Sequence, residues 1–309
     1  MSRILVTGAT GFIGRALVPA LAEDGHTVRI AVRQPASSPL PADVEVIAGC
    51  DLAQPVDGQR VLDGIDQVVH LAGIAHTGSV AASMYDRINR QATEHLAKAA
   101  ADAGIRQFVF VSSLRAQCGP TADHVLTERD PPAPTDAYGR SKLAAEQAIR
   151  SAGVPFTILR PAVLYGPDAK ANVALLARVA ALPIPLPLRS FDNRRSLLGI
   201  DNFISAVRFV LGASDTLGQT YIVADPGIAL RLSDVMATLR KAHGRRPLLL
   251  PMPPGLLEAG LRLMGRAALW ERIGGSLEAD ASKLIAAGWQ PRHDTGTGLA
   301  AMVRTAMLR

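Results

Sequence analysis

The chain has 309 residues, 48% of them hydrophobic, enough to bury a large core in one or two domains. Its formal charge of +6 comes from 33 scattered Lys and Arg with no polybasic block or aromatic-interleaved strip, which argues against a nucleic-acid partner and fits an anionic small substrate. Cys50 and Cys118 lie far apart, without disulfide or metal-ligand spacing. The longest apolar runs are cut by Arg178, Pro183, Pro185 and Pro187, too short to span a membrane. The N-terminus leads straight into an apolar strand with no signal-peptide pattern, so a cytoplasmic protein without a bound metal is expected.

From Ile4 to Val111, short β-rich runs alternate with longer Ala-rich ones, the pattern of βαβ units on a parallel sheet. The first strand, Ile4–Thr7, runs into Thr7-Gly8-Ala9-Thr10-Gly11-Phe12-Ile13-Gly14, and a helix begins near Ile13. This GxxGxxG spacing between strand and helix suits a tight turn whose amides face a pyrophosphate; the alternative is an ordinary strand-to-helix turn.

The second strand is predicted at Thr27–Ala31. An NAD enzyme often carries an acid at its end for the adenosine ribose, but that position is Val32. Arg33 follows, with Ser37 and Ser38 close behind, and a guanidinium pairs well with a 2′-phosphate, so NADP is preferred and NAD stays open. The alternative is that Arg33 is a solvated loop residue. After a third strand, Val44–Ala48, Asp51-Leu52 is placed to meet the adenine, or Asp51 serves as a helix N-cap; a helix follows near Gly58.

The next strand, Gln67–Leu71, ends in His70-Leu71-Ala72-Gly73. A general base is conceivable at His70, but a buried, hydrogen-bonded structural histidine is the better reading because no second acid or base accompanies it. A helix beginning near Tyr85 contains Asn89, either holding a water or a backbone near the site or standing as a partly exposed polar position.

Strand Gln107–Ser112 delivers Ser112-Ser113 at its carboxyl end, where ligands gather in doubly wound sheets. Ser113 is the candidate partner for a reacting oxygen, and Ser112 a cofactor or backbone contact. Tyr138 and Lys142 stand at i and i+4, one helical turn apart, so the lysine charge can lower the phenol pKa. Alone this would be a surface pair; with Ser113 it reads as a proton-transfer site. A helix is predicted at Ser141–Ser151 and a strand at Phe156–Leu159. Beyond Gly166 the pattern is less regular, with proline clusters around a strand-like Tyr221–Ala224.

Together these pieces resemble the extended short-chain dehydrogenase/reductase family, in its NAD-dependent epimerase/dehydratase branch of sugar-nucleotide 4-epimerases and 4-ketoreductases. The likeness rests on Gly8, Gly11 and Gly14, Asp51-Leu52, His70 to Gly73, Asn89, Ser113, Tyr138 with Lys142, Arg160-Pro161 and Tyr165-Gly166-Pro167. It implies an α/β, doubly wound parallel-sheet Rossmann fold with a smaller C-terminal α/β substrate lobe. Residues 1–165 would form the NAD(P)-binding domain and 166–309 the substrate lobe, with 198–224 returning to the Rossmann sheet.

By resemblance Ser113, Tyr138 and Lys142 are the catalytic set. Gly8, Gly11, Phe12, Ile13, Gly14, Arg33, Asp51, Leu52, Leu71, Ala72, Gly73, Asn89 and Pro161 would contact the cofactor, together with Tyr138 and Lys142. The segments Arg272 to Leu277, Asp280, Ser282-Lys283 and Gly288 to Pro291 look like the branch acting on UDP-linked sugars. There an arginine contacts the diphosphate, which points to Arg195, with Arg194 the alternative; Asn172 joins them as a substrate residue.

Two departures stand out. Leu114-Arg115 occupies the place where 4,6-dehydratases carry an Asp-Glu pair, which disfavours elimination of water. One extra residue precedes Gly119, and Cys118 stands where many epimerases have tyrosine. The expected activity is therefore hydride chemistry at C4 of a nucleoside-diphosphate, most simply UDP, sugar: 4-keto reduction first, a 4-epimerase with tightly bound NAD second. A non-catalytic cofactor-binding subunit is the reading from another class. A homodimer through the helices near Tyr85 and Ser141 is a further expectation.

Overall fold

The computed structural model describes the chain except residues 35–40, 42, 53, 55–56, 76–79, 169–171, 266–269, 271–273 and 308–309, and the backbone alone at 172 and 174. Ser37, Ser38, Arg272 and Ile273 thus lie outside the described residues. Strands β1 (Arg3–Thr7), β2 (Thr27–Ala31), β3 (Val44–Ile47), β4 (Gln67–His70) and β5 (Gln107–Val111) fall within a residue of their predicted places. After a two-residue β6 (Val125–Leu126) come β7 (Phe156–Pro161), β8 (Val163–Tyr165), β9 (Arg194–Arg195), β10 (Leu197–Gly199) and β11 (Gln219–Val223).

Seven of these form one parallel sheet in the order β11-β7-β5-β4-β1-β2-β3. Successive strands run outward in one direction from β1 and in the other from β4, so the crevice between β1 and β4 is the topological switch point where doubly wound sheets bind ligands. The register pairs Thr7 with His70, which brings the glycine turn after β1 against Leu71-Ala72-Gly73 after β4.

Strand alternation divides the core. Ile4, Val6, Val109 and Val111 face a cluster under the helices Phe12–Glu23 and Ile200–Gly212. Leu5, Phe108 and Phe110 face Leu96, Ala97, Ala145 and Ile149 on the other side. This two-residue period is what lets helices cover both faces. The Ala-rich helices expected to dimerise are thus partly used within the chain: Ala92, Ala97, Ala100 and Ala145 are all buried.

Two helices depart from their sequence readings. The helix expected from Ser141 begins at Ala137, because the Asp136 carboxylate caps it by accepting from Gly139 N at 2.6 Å. The helix expected near Tyr85 begins at Ala82, widens into a π turn at Asp86–Gln91 and resumes as α-helix at Ala92–Asp102.

Residues after 166 alternate between the sheet and a third cluster. Tyr221 pairs with Leu159 at the sheet edge, and Phe191, Met236, Leu239, Leu299 and Met302 form a separate core under the helices Leu232–Ala242 and Thr295–Met307.

Candidate active site

A cleft of about 380 Å³ opens at the switch point. It is lined by Gly8, Gly11, Phe12, Ile13 and Gly14 of the glycine turn and by Ser113, Tyr138, Lys142 and Pro161. Leu71 and Gly73 form its wall, joined by Ile74, Ala75, Val111, Ser112, Ala162 and Leu164, most of which the sequence reading did not single out.

The glycine turn is built for close approach. Gly8 adopts φ +70°, and a Cβ there would stand 2.7 Å from Ala72 N, so only glycine lets the two loops meet. The helix that follows has Gly11 at its N-cap, no side-chain cap and no acid in its first turn. Its leading amides are therefore free of a competing side-chain acceptor, a fit to the diphosphate of a dinucleotide.

The catalytic candidates come from two elements. Ser113 ends the β5 loop and accepts from Arg115 N at 3.1 Å, while its side chain hydrogen-bonds the Tyr138 phenol. Burial raises the Tyr138 pKa above the ordinary phenol value, and the Ser113 bond opposes that rise. Lys142, one turn on, is 5% exposed and donates to Val111 O at 2.9 Å, with its ammonium 4.7 Å from the Phe110 ring centre. Burial lowers its pKa to about 8, against the opposing pull of Glu146. The site thus holds a phenol, a hydroxyl and a cation in the lining of one cleft.

Asn89 is fully buried, which overturns the reading of an exposed helix position. Its Oδ1 accepts from Ile74 N at 2.8 Å, and its Nδ2 donates to Ile74 O at 3.1 Å and Ser141 Oγ at 3.0 Å. It therefore ties the cleft wall to the Tyr138 helix. The π turn is the local geometry that presents it, a distortion frequent at functional sites.

His70 is structural. The Thr93 hydroxyl donates to Asn89 O at 2.6 Å, so it can only accept from His70 Nε2 at 2.9 Å. Nδ1 then accepts from Thr7 Oγ1 at 2.7 Å, and that oxygen accepts from Ala72 N at 3.2 Å. One directed chain crosses from the cleft loop to the π turn and fixes a neutral tautomer. Burial first, then the Lys142 charge, lowers the His70 pKa to about 3. Thr7 and Thr93 were not singled out from sequence, though a hydroxyl opening the glycine turn was a visible signal.

Ser112 lines the cleft, and its Oγ donates to Glu146 Oε1 at 2.5 Å. Arg160 grips both oxygens of Glu146 at 2.9 and 2.6 Å and reaches Gln117 Oε1 at 2.9 Å. This buried network underlies the Tyr138 helix, and only tertiary contact reveals it. Arg115 pairs with Asp136, and Leu114 beside it is buried.

The remaining candidates lie outside the cleft lining. Arg33 is exposed just past β2, whereas Val32, at the place of the ribose acid, is 6% exposed within the core. Asp51 is exposed in the loop after β3, Leu52 is half-buried, and the nearby helix is capped by Asp57 instead, through Arg60 N at 3.1 Å. Arg195 donates to Pro120 O at 3.3 Å while its buried Nε has no hydrogen-bond partner, and Arg194 is turned to Ala229 O at 3.1 Å. Asn172 opens the helix Asn172–Ala180; its side chain is outside the described atoms.

The profile of the NAD-dependent epimerase/dehydratase family matches residues 4–224. The chain belongs to that family. It is 31% identical over 300 residues to a UDP-glucose 4-epimerase of Vibrio cholerae, covering 93% of this chain and 90% of that one. It is 32% identical to a ceramide reductase of Caulobacter vibrioides, covering 83% and 76%. Among solved structures, MoeE5 in complex with UDP-glucose and NAD superposes with a TM-score of 0.78 at 25% identity, covering 99% of both chains. The glycine turn, Tyr138 and Lys142 of this chain line one cleft. The chain's Leu114-Arg115 sequence puts no carboxylate after Ser113.

Proposed function

We propose that the chain is an NAD(P)-dependent oxidoreductase acting at C4 of a UDP-linked sugar, with reduction of a 4-keto sugar as its reaction. The observation that carries this reading is the convergence of Ser113, Tyr138 and Lys142 on a cleft that the uncapped helix start after the glycine turn also lines. Bound nicotinamide would supply the hydride to C4. Tyr138 gives its phenol proton to the ketone oxygen, Ser113 donates a hydrogen bond to that oxygen, and Lys142 stabilises the phenolate left behind. Solvent then reprotonates Tyr138.

Ser113, Tyr138 and Lys142 are the proposed catalytic residues; the cleft glycines, Leu71, Ala72 and Pro161 are the proposed cofactor contacts, with Asn89 holding their wall. Arg33, with no acid at Val32, supports NADP, and the unpartnered Nε of Arg195 supports it as the diphosphate ligand. Residues 166–309 are the proposed substrate lobe. A buried Leu114 and a paired Arg115 offer no acid–base pair for dehydration.

A 4-epimerase is the second reading, favoured by likeness to the Vibrio cholerae enzyme along 93% of the chain. The test mixes the protein with UDP-4-keto-6-deoxy sugars and NADPH or NADH. Stoichiometric loss of NADPH absorbance, weakened by Arg33→Ala, supports the reductase. Tightly bound NAD and interconversion of UDP-hexose C4 epimers without net cofactor loss would replace it with the epimerase. A Tyr138→Phe variant that kept full function would overturn both.

A further inference from the structure

The net charge of the chain is concentrated in the lobe distant in sequence from the glycine turn. Residues 172–190 and 240–265 together carry seven basic residues, Arg178, Arg189, Arg240, Lys241, Arg245, Arg246 and Arg262, against one acid, Glu258. That surplus equals the +6 of the whole protein, so the remainder is electrically balanced. Of the seven only Arg240 is buried; it donates to Leu182 O, Ile184 O and, through Nε, Arg246 O, all at 2.9 to 3.2 Å. This clamp draws the two segments side by side.

The same two segments expose apolar side chains. Leu186 N donates to Leu248 O at 3.0 Å and Leu250 N to Leu186 O at 2.8 Å. Beside these bonds Leu182, Ile184, Leu248 and Leu250 are all 43–53% exposed. The chain then turns through prolines into the helix Pro254–Leu263. That helix buries Leu261 and packs Leu257 on the lobe core, but leaves Leu256 at 64% and Leu263 at 90% exposure, seven residues apart on one face, with Met264 at 65%. Glu258 is already taken by Arg262 at 2.7 Å. Among the described residues, Lys241, Arg245 and Arg246 have no acidic partner.

Exposed leucines and unpaired cations that alternate along one short stretch of chain, residues 241–264, mark an interaction surface rather than ordinary scatter. We propose that this face docks peripherally on an anionic lipid bilayer, with the leucines of the Pro254–Leu263 helix and the 248–250 segment entering the headgroup region and Arg245 and Arg246 meeting lipid phosphates. Charge selects the partner. A second copy of this chain would set these cations against each other, and aliphatic side chains give nucleic acid no stacking platform. An anionic bilayer satisfies both halves of the surface, since basic residues near it strengthen binding and apolar side chains add buried area. No described helix is long and apolar enough to cross a membrane, so the contact lies on the surface.

The experiment is co-sedimentation of the full chain with vesicles of phosphatidylcholine alone or in equal mixture with phosphatidylglycerol, at low and high salt. Retention on the anionic vesicles alone, weakened by salt, is expected. Arg245→Glu with Arg246→Glu should reduce partitioning at least about 25-fold, from roughly fivefold per basic residue. Leu256→Glu with Leu263→Glu should abolish it, and both variants should keep the wild-type thermal midpoint because all four side chains are exposed. Three results would overturn the proposal: no retention on anionic vesicles, equal retention on neutral ones, or variants that bind as wild type does. So would a wild-type dimer in free solution that the leucine variant converts to monomer.

Discussion

Lys142 Nζ donates to the carbonyl oxygen of Val111 at 2.9 Å, at the end of the strand that delivers Ser113. The ammonium therefore spans from the Tyr138 helix to the Ser113 loop. Its pKa near 8 makes a double prediction. Lys142→Met should lower kcat by about 10²- to 10⁴-fold, and wild-type kcat/KM should fall as pH rises through 8 and the cation is lost. For stability, a lysine depressed from 10.5 to about 8 penalises the fold fully below 8, and the penalty is relieved between 8 and 10.5, where the unfolded chain binds the extra proton. Wild type should gain roughly 3 kcal/mol on the variant across that window. Denaturant titrations at several pH values would show a flat difference if the ammonium were not desolvated.

Glu146 supports that lysine from below. Replacing it with Gln leaves Arg160, 4% exposed, without its carboxylate, and should destabilise the protein by about 3–5 kcal/mol. Because Glu146 holds the Lys142 pKa up, the basic limb of the pH profile should also move to lower pH. A limb that stayed in place would disconnect the buried pair from the site.

His70 governs the acid side. Its pKa is depressed from 6.5 to about 3, so its contribution is complete above 6.5 and lost as pH falls toward 3, where the unfolded chain takes up a proton that the folded chain refuses. Stability should fall by about 1.4 kcal/mol per pH unit from this group over that range. His70→Gln should be less stable at neutral pH but should lose that component of the slope; an unchanged slope would mean that carboxylates alone set it.

Gly139 packs so closely on the Arg115 carbonyl that a Cβ would overlap it, although alanine is the better helix former. Gly139→Ala should shift Tyr138 relative to Ser113 and lower kcat by about 10²-fold while the circular dichroism of the helix is retained. Near wild-type turnover would show that the Arg115 loop yields freely.

Alternation of β-rich and Ala-rich runs made the strands legible to within a residue or two, because burial on both sheet faces writes itself into continuous apolar segments such as Phe108 to Val111. The glycine turn and the Tyr138–Lys142 spacing were equally plain, since local backbone geometry demands them. Ser112 and Asn89 were harder. Ser112 bonds a carboxylate 34 residues away, and nothing local distinguishes it from Ser113. The start of the Tyr138 helix lies four residues earlier than its apolar pattern predicts, although Asp136 stands three residues before Gly139, a capping pattern readable in principle.

The π turn at Asp86–Gln91 holds one residue more than a regular turn would. Removing one residue between Asp86 and Ile88 would let the helix close into ordinary register and swing Asn89 about 100° away from Ile74 and Ser141. Substitutions on the outer side of this helix change only its solvent face, whereas a one-codon deletion would unpin the cleft wall from the Tyr138 helix. The length of this segment is thus under tighter constraint than its outward-facing composition.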